Sequence, residues 1–114
     1  MKKTIKIDGK DCIFEATAGT LRRYRMRFNS DMLVDMQKLT KGMNFSKGQA
    51  ALTMEALSIY EQAAYIMHKQ GDPSQPDDID EWLDQFEMMD VYEVLPEIID
   101  LWIQNTVQTS TSKK

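Results

Sequence analysis

Cys12 and His68 are of the residue types that most often supply a nucleophile, a general base or a zinc ligand, and each type occurs once. A structural zinc site takes about four Cys or His ligands, so one chain cannot build it here. Cys12 falls on the apolar face of a predicted strand, where we expect a buried, unreactive thiol. His68 falls near a helix end, where a cation would suit the helix dipole. We therefore predict no catalytic residue, no metal site and no cofactor.

A run of acidic residues between Asp72 and Glu81 could suggest calcium binding. An EF-hand loop starting at Asp72 would need Gly at its sixth position and Glu at its twelfth, where this sequence has Asp77 and Leu83. We interpret these acids as charges that stabilise helix N-termini. The sequence also lacks a Gly-rich phosphate loop, a serine elbow and a metalloprotease motif. We therefore expect a protein that binds other proteins and is not an enzyme.

The charge of the chain is divided between its two parts. Residues 1–69 carry 12 Lys or Arg and 7 Asp or Glu, a net charge of +5. Residues 70–112 carry 11 acids and no base, a net charge of −11, and two terminal lysines bring the total to −4. The opposite charges can pair within one fold, or they can steer and orient separate chains or a charged partner. The sequence leaves both possibilities open.

Arginines on one short helix and methionines elsewhere are the candidate binding residues. A basic helix would also suit nucleic acid, but the net negative charge and the acidic second part disfavour that partner. Methionine adapts to varied apolar surfaces; Met32, Met36, Met54 and Met67 fall at core positions, whereas Met88 and Met89 lie at a junction. The predicted partner-binding residues are Arg22, Arg23, Arg25, Arg27, Met88, Met89, Trp102 and Ile103.

The elements that must position these residues form a mainly helical (α+β) domain over residues 1–105, with a flexible tail over 106–114. Residues 3–16 read as a β-hairpin because Asp8-Gly9 suits a type I′ turn, whose register pairs Ile5 with Cys12 and Lys6 with Asp11. About five helices follow, near residues 21–28, 31–41, 48–70, 78–87 and 90–105.

Helix ends are predicted from capping residues. Thr20 and Ser30 are the expected N-caps of the first two helices, and Asp77 or Asp78 caps the fourth. Pro96 either kinks the last helix or stands at the start of a new one.

The remaining composition favours a small soluble protein. A length of 114 residues suits one domain. No apolar run approaches the roughly 18–20 residues that span a bilayer, and the N-terminus lacks the apolar stretch of a signal peptide. One cysteine allows no internal disulfide, so we expect a reducing cytoplasm as the setting.

Several segments, taken in order, resemble a known family. Residues 14–25 (FEATAGTLRRYR) with Phe28, then residues 81–86 (EWLDQF), 92–99 (YEVLPEII) and the TSTSKK tail, resemble tail assembly chaperones of long-tailed phages and prophages of Gram-positive bacteria. The resemblance covers nearly the whole chain, but its motifs are structural stretches of moderate specificity. One departure is Leu21, where the family pattern would have proline at the first helical position.

This resemblance implies a function and a set of partners. Such proteins coat the long tape measure protein, keep it soluble, help to bring tail tube subunits to it, and are absent from the finished virion. Many exist in a short form and a longer form made by ribosomal frameshifting, and this chain would be the short form, acting in the cytoplasm of the bacterial host. A homo-oligomer is expected, because contacts between unlike patches generate rings or open arrays. The alternatives are a structural tail or neck component retained in the virion and a small regulatory nucleic-acid-binding protein.

Overall fold

The structure is a computed structural model that describes residues 1–41 and 53–111, with side chains described as far as Ile103. It confirms the predicted fold class, because an N-terminal hairpin precedes a set of helices in one small domain. The described elements are β1 (Lys2–Ile7), β2 (Lys10–Glu15), α1 (Ala18–Phe28), α2 (Met32–Lys41), α3 (Met54–Gly71), α4 (Ile79–Leu83), α5 (Asp90–Glu93) and α6 (Leu95–Thr111).

The hairpin has the predicted turn and register. Asp8 and Gly9 have φ values of 53° and 74°, as a type I′ turn requires. Ile5 pairs with Cys12, and Lys6 pairs with Asp11. One face is buried through Ile5, Ile7, Cys12 and Phe14. The Lys6–Asp11 ion pair on the other face has an N···O distance of 3.9 Å and is largely exposed, so it contributes little to stability.

The N-cap of the first helix lies three residues before the predicted cap. Thr17, not Thr20, is the N-cap of α1, and its hydroxyl accepts a hydrogen bond from the Gly19 N–H. Thr20 completes a capping box by accepting from the Thr17 N–H at 2.8 Å. The Thr20 hydroxyl also donates to Gln70 Oε1 of α3 at 2.5 Å. The predicted cap was wrong because Thr17 and Thr20 both take part in the capping box. Thr20 does so from the third position of the helix, where its hydroxyl accepts from the Thr17 N–H.

The second helix is also capped by a neighbour of the predicted residue. Asp31 Oδ1 accepts from the Leu33 N–H at 2.9 Å, whereas Ser30 donates instead to the carboxylate of Asp35. Leu33, although apolar, is 48 % exposed. Asp35 occupies the inward position in its place, since hydrogen bonds satisfy its buried carboxylate. Met32, Met36 and Leu39 are buried as predicted.

The long central helix starts later than the prediction at residue 48. Thr53 is the N-cap of α3 and accepts from the Ala56 N–H at 3.0 Å. Residues 48–52 lie outside the described part of the chain. Met54, which we placed in the core, is 86 % exposed, because it stands in the first turn, before the apolar face of α3 begins at Ala56. Met67 is buried as predicted.

The end of α3 lies against the hairpin. A Cβ added to Gly71 would lie 2.3 Å from the carbonyl oxygen of Ile13. The approach is possible because Ile13 is in a non-hydrogen-bonded position of the hairpin, where its carbonyl points away from β1. Only glycine fits at this contact, so residue 71 fixes how closely β2 packs on α3.

The acidic second part contains short helices. Asp78 caps α4 by accepting from the Glu81 N–H at 3.1 Å, which selects it over Asp77, and α4 ends at Leu83 instead of residue 87. The predicted helix over 90–105 is two helices, because the chain turns at Val94 (φ −93°, ψ 8°). Pro96 stands in the first turn of α6, where its missing N–H costs no hydrogen bond. The predicted end was residue 105, whereas α6 continues to Thr111, and residues 112–114 lie outside the described part.

α3 lies at the centre of the molecule and packs against β2, α1, α2 and α4. Buried residues of the hairpin and of the described helices join in one apolar cluster. The residues of α3 in the interior are Ala56, Ile59, Tyr60, Ala63, Ala64, Tyr65, Ile66, Met67 and His68. The charged side chains of the predicted site therefore stand on helices that surround a neutral core.

Candidate functional site

The two residues with chemical potential are both part of the core. Cys12 is 4 % exposed, and burial raises the pKa of its thiol, so the reactive thiolate is disfavoured. His68 is 3 % exposed, and burial lowers its pKa to about 4. The imidazole is therefore neutral at pH 7, which corrects our prediction of a cation that stabilises the helix end.

His68 joins three elements. Its Nδ1 accepts a hydrogen bond of 2.8 Å from Trp82 Nε1 of α4. Its ring stacks on Phe14 of β2, with 5.0 Å between ring centroids. A neutral ring satisfies both contacts, because a proton on Nδ1 would meet the indole N–H donor. Phe14 and Trp82 are 54 and 14 positions from His68 in the chain. The sequence around His68 therefore did not reveal this role.

A second buried polar cluster ties α1, α2 and α3 together. The Tyr24 hydroxyl donates to Asp35 Oδ2 at 2.8 Å, and the amide of Gln62 lies 2.8 Å from the same hydroxyl. Ser30 also donates to Asp35 Oδ2, at 2.7 Å. Burial and the Asp35 carboxylate raise the pKa of Tyr24, so the hydroxyl remains a donor. The sequence signal for this cluster was an aspartate inside an apolar stripe.

The four predicted arginines of α1 are all exposed, and none forms an ion pair with a residue that the structure describes. Their spacing divides them into two pairs. Arg23 and Arg27, four residues apart, share one side of α1, whereas Arg22 and Arg25 stand on another. Arg27 lies over the ring of Tyr65, with 5.0 Å from its guanidinium carbon to the ring centroid, which is a cation–π contact.

Arg23 and Arg27 line an open groove of about 540 Å³ between α1 and the end of α3. We call this the basic groove, and its lining residues are Arg23, Met26, Arg27, Ile66, Lys69, Gln70 and Pro73. Met26 is 69 % exposed, whereas Ile66 is buried. The groove thus presents positive charge around an apolar strip, which suits a partner that is acidic and partly apolar.

Lys69 is already engaged within the groove wall. Its ammonium lies 2.9 Å from the Asp77 carboxylate and also donates to the carbonyl oxygens of Pro73 and Gln75. A hydrogen bond and the charge of Lys69 lower the pKa of Asp77. Lys69 therefore holds the loop between α3 and α4. The charge of Arg27 also contributes to the lowered pKa of Asp77, although Arg23 and Arg27 form no ion pair with any described residue.

The predicted methionines stand on an acidic segment. We call residues 84–93 the acidic methionine loop. It runs from the end of α4 to the end of α5. Met88 is 85 % exposed and Met89 is 59 % exposed. The loop carries Asp84, Glu87, Asp90 and Glu93 and no base. Its apolar tip and its charge are complementary to the basic groove.

The acids of this loop lie close to one another and to the hairpin turn. Desolvation, a hydrogen bond with Asp8 and the charges of Asp8, Glu93 and Glu87 raise the pKa of Asp90. Lys10 donates to the backbone carbonyl of Gln85 at 3.2 Å, which attaches the start of the loop to the hairpin. The loop is therefore a crowded negative surface beside the turn of β1 and β2.

The two predicted residues of α6 differ from each other. Trp102 is only 8 % exposed, whereas Ile103 is 42 % exposed. Trp102 follows Leu95 by seven residues and shares the buried side of α6 with Ile98 and Ile99. Its assignment as a partner contact is therefore corrected to a core position, and Ile103 remains a candidate.

The described residues form neither a metal-binding cluster nor a membrane-spanning helix. In 1–41 and 53–111, no group of three or more His, Cys, Asp or Glu is placed to hold a metal ion. No helix in this part of the chain is long and apolar enough to cross a membrane. The groove and the loop are thus the two surfaces on which a functional assignment depends.

Comparisons with protein-family models, with curated proteins and with solved structures find no match for this chain. No family is therefore shown, and function has to be inferred from the chain's own residues and surfaces.

Proposed function

We propose that this protein is a phage tail assembly chaperone that binds the tape measure protein, keeps it soluble and helps to recruit tail tube subunits. The observation that carries the proposal is the ordered resemblance of residues 14–25, 81–86 and 92–99 to chaperones of this kind. The function requires non-covalent binding and no reaction chemistry.

The surfaces of the molecule support this proposal physically. A long, aggregation-prone client presents varied apolar groups along its length, and methionine side chains adapt to such groups. Met26, Met88 and Met89 are all more than half exposed. Charges surround these residues on α1 and on the acidic methionine loop, which lets the surface stay in water between clients.

The proposed setting is the cytoplasm of the bacterial host, with several copies on one client and none in the finished virion. The tail tube protein is the proposed second partner. A structural tail or neck component is the competing assignment, and mass spectrometry of purified tails separates the two. Presence of this chain in stoichiometric amounts would favour the structural component and contradict the chaperone.

The direct test is co-expression with the tape measure protein of the same phage or prophage. We expect the client in the soluble fraction with this chain and in the pellet without it. Met88→Glu/Met89→Glu should lower the soluble client at least about fivefold, because it puts charge where apolar contact is needed. Met54→Glu is the matched control, since Met54 and Met88 are 86 % and 85 % exposed. Equal solubility of the client with and without the chain would contradict the proposal.

The short form of a frameshifted pair is part of the proposal. Lys113-Lys114 is compatible with an A-rich slippery codon pair. Reading the gene tests this directly. A slippery site followed by an overlapping downstream frame is expected, and its absence would contradict the short-form assignment while leaving the chaperone test in place.

The nucleic-acid alternative rests on the exposed arginines of α1. Backbone phosphates would be repelled by the acidic second part and by the net charge of −4. We expect no shift of double- or single-stranded DNA or RNA at physiological salt in a gel assay. A shift that Arg22→Glu/Arg25→Glu removes would favour the regulatory assignment instead.

A further inference from the structure

The molecule leaves complementary charges unused on two separate surfaces. Arg23 and Arg27 in the basic groove form no ion pair with any described residue, and the same holds for Glu87 and Glu93 of the acidic methionine loop. Since the two surfaces do not neutralise each other inside one chain, their charges are available between chains.

The loop is attached to its own chain at the hairpin and, through the bond from Gln85 to Gln75 at 3.1 Å, at the segment that Lys69 of the groove holds. Its start is bonded to Lys10, and Asp90 lies beside Asp8 of the hairpin turn. The groove lies instead between α1 and the end of α3, where Arg27 covers Tyr65. One chain therefore presents groove and loop as two different surfaces, as head-to-tail assembly requires.

We propose that the basic groove of one copy binds the acidic methionine loop of a second copy. Arg23 and Arg27 face the carboxylates of the loop, and the apolar strip around Met26 receives Met88. The groove is open and holds about 540 Å³, and Met26 and Met88 are 69 % and 85 % exposed, so both apolar groups lose water on contact. The inference specifies the contact between copies within the proposed function.

The occupant is assigned to a second copy because of its charge and its shape. Every charged residue of the loop is acidic, so its carboxylates repel one another. Burial raises the pKa of Asp90 most, and Asp8 and the charges of Glu93 and Glu87 raise it further. A facing pair of arginines relieves that repulsion. Because groove and loop differ, each copy can use both at once, which generates a ring or an open array.

The test uses the purified full chain without any client, so its failure is distinguishable from failure of the chaperone assignment. Sedimentation velocity of the native chain should show oligomers at about 50 mM NaCl. Their association constant should be at least about tenfold lower at about 500 mM NaCl. Arg23→Glu/Arg27→Glu should weaken association at least about tenfold at low salt. Arg22→Glu/Arg25→Glu makes the same change in charge outside the groove. It should lower the association constant less than about threefold.

A charge swap identifies the pair of surfaces. Glu87→Arg/Glu93→Arg should also associate poorly alone, because two positive charges then face Arg23 and Arg27 and the net charge of the loop changes from −4 to 0. Mixing it with Arg23→Glu/Arg27→Glu should restore association, since the exchanged charges face each other in one contact and the native groove meets a native loop in the other. Circular dichroism checks that each variant is folded, and Arg23→Glu alone serves if loss of the Arg27–Tyr65 contact disturbs folding.

A cross-link gives the position of the contact independently. Met26→Cys protein mixed with Met88→Cys protein should form mixed disulfide dimers under mild oxidation, in preference to the symmetric dimers that either exposed thiol can form alone. Cys12 is buried and should not take part. The proposal is overturned if the native chain is a monomer at low salt, if the control pair weakens association as much as the groove pair, or if mixing restores nothing.

Discussion

The basic and acidic parts of the chain are built differently although they share one core. The hairpin, α1, α2 and α3 form the basic part, in which Asp35 and Tyr24 make a buried polar cluster. The acidic part has two short helices, α4 and α5, before α6, and Trp82 and the buried aliphatic residues of α5 and α6 join the same core. The two charges are therefore displayed by the fold and are not what holds it together.

The contacts between the parts are mostly uncharged. Trp82 donates to His68, and the Tyr60 hydroxyl donates to the backbone carbonyl of Val91 at 2.5 Å. The Lys69–Asp77 ion pair also crosses the boundary, but Asp77 is almost fully exposed, which limits its effect on stability. Stability should therefore respond to aromatic substitutions at the junction far more than to surface charge.

Among substitutions at the junction of the two parts, Trp82→Ala should lower the free energy of unfolding most. Trp82 is fully buried and contacts Tyr65, His68 and Phe86. We expect a loss of about 3–5 kcal/mol in the free energy of unfolding, because a large cavity opens and His68 loses its donor. Denaturant unfolding measures the loss, and Trp82→Phe should cost less because it keeps an aromatic ring. A loss below about 1 kcal/mol for Trp82→Ala would mean that the acidic part is attached elsewhere.

Acid should weaken the same junction through His68. The unfolded imidazole has an ordinary pKa of 6.5, whereas the folded pKa is lowered to about 4. Stability is therefore complete above pH 6.5 and falls as the pH drops toward 4, by at most about 1.4 kcal/mol per pH unit. Unfolding measured between pH 7.5 and 5 should show this slope, where most carboxylates remain ionised. The slope should shrink in His68→Gln, and an unchanged slope would contradict the buried neutral imidazole.

Gly71→Ala should give a smaller loss at the boundary of the two parts. The new Cβ meets the backbone carbonyl of Ile13, which cannot move without shifting β2, so we expect a loss of about 1–3 kcal/mol. Gly19→Ala is the matched control, because its Cβ meets the flexible end of Arg23. Thermal unfolding of the two variants should differ clearly, and equal melting temperatures would contradict the close contact of hairpin and α3.

Local signals in the sequence predicted the hairpin well and the helix starts less well. Asp8-Gly9 determines one turn type, and the turn determines the register. Thr17 and Thr20, or Ser30 and Asp31, offer the same capping chemistry within three residues. The choice between them depends on contacts with distant residues, such as the bond from Thr20 to Gln70, which no local pattern contains.

The candidate site was predictable only in part, for the same reason. Composition and exposure rules identified the arginines of α1 and the methionine pair. The pairing of Arg23 with Arg27 in a groove depends on where α3 places Ile66 and Lys69. The neutral state of His68 depends on packing by Phe14 and Trp82, so neither its charge nor its partners could be read from neighbouring residues.

Apart from the exposed Lys69–Asp77 ion pair, we propose that the divided charge acts between molecules. Salt distinguishes the two uses when unfolding and self-association are measured on the same native chain between about 50 and 500 mM NaCl. We predict that the free energy of unfolding of the dilute monomer changes by less than about 1 kcal/mol, while the association constant falls at least about tenfold. A steep loss of unfolding free energy with salt, in a chain that stays monomeric at low salt, would contradict the claim.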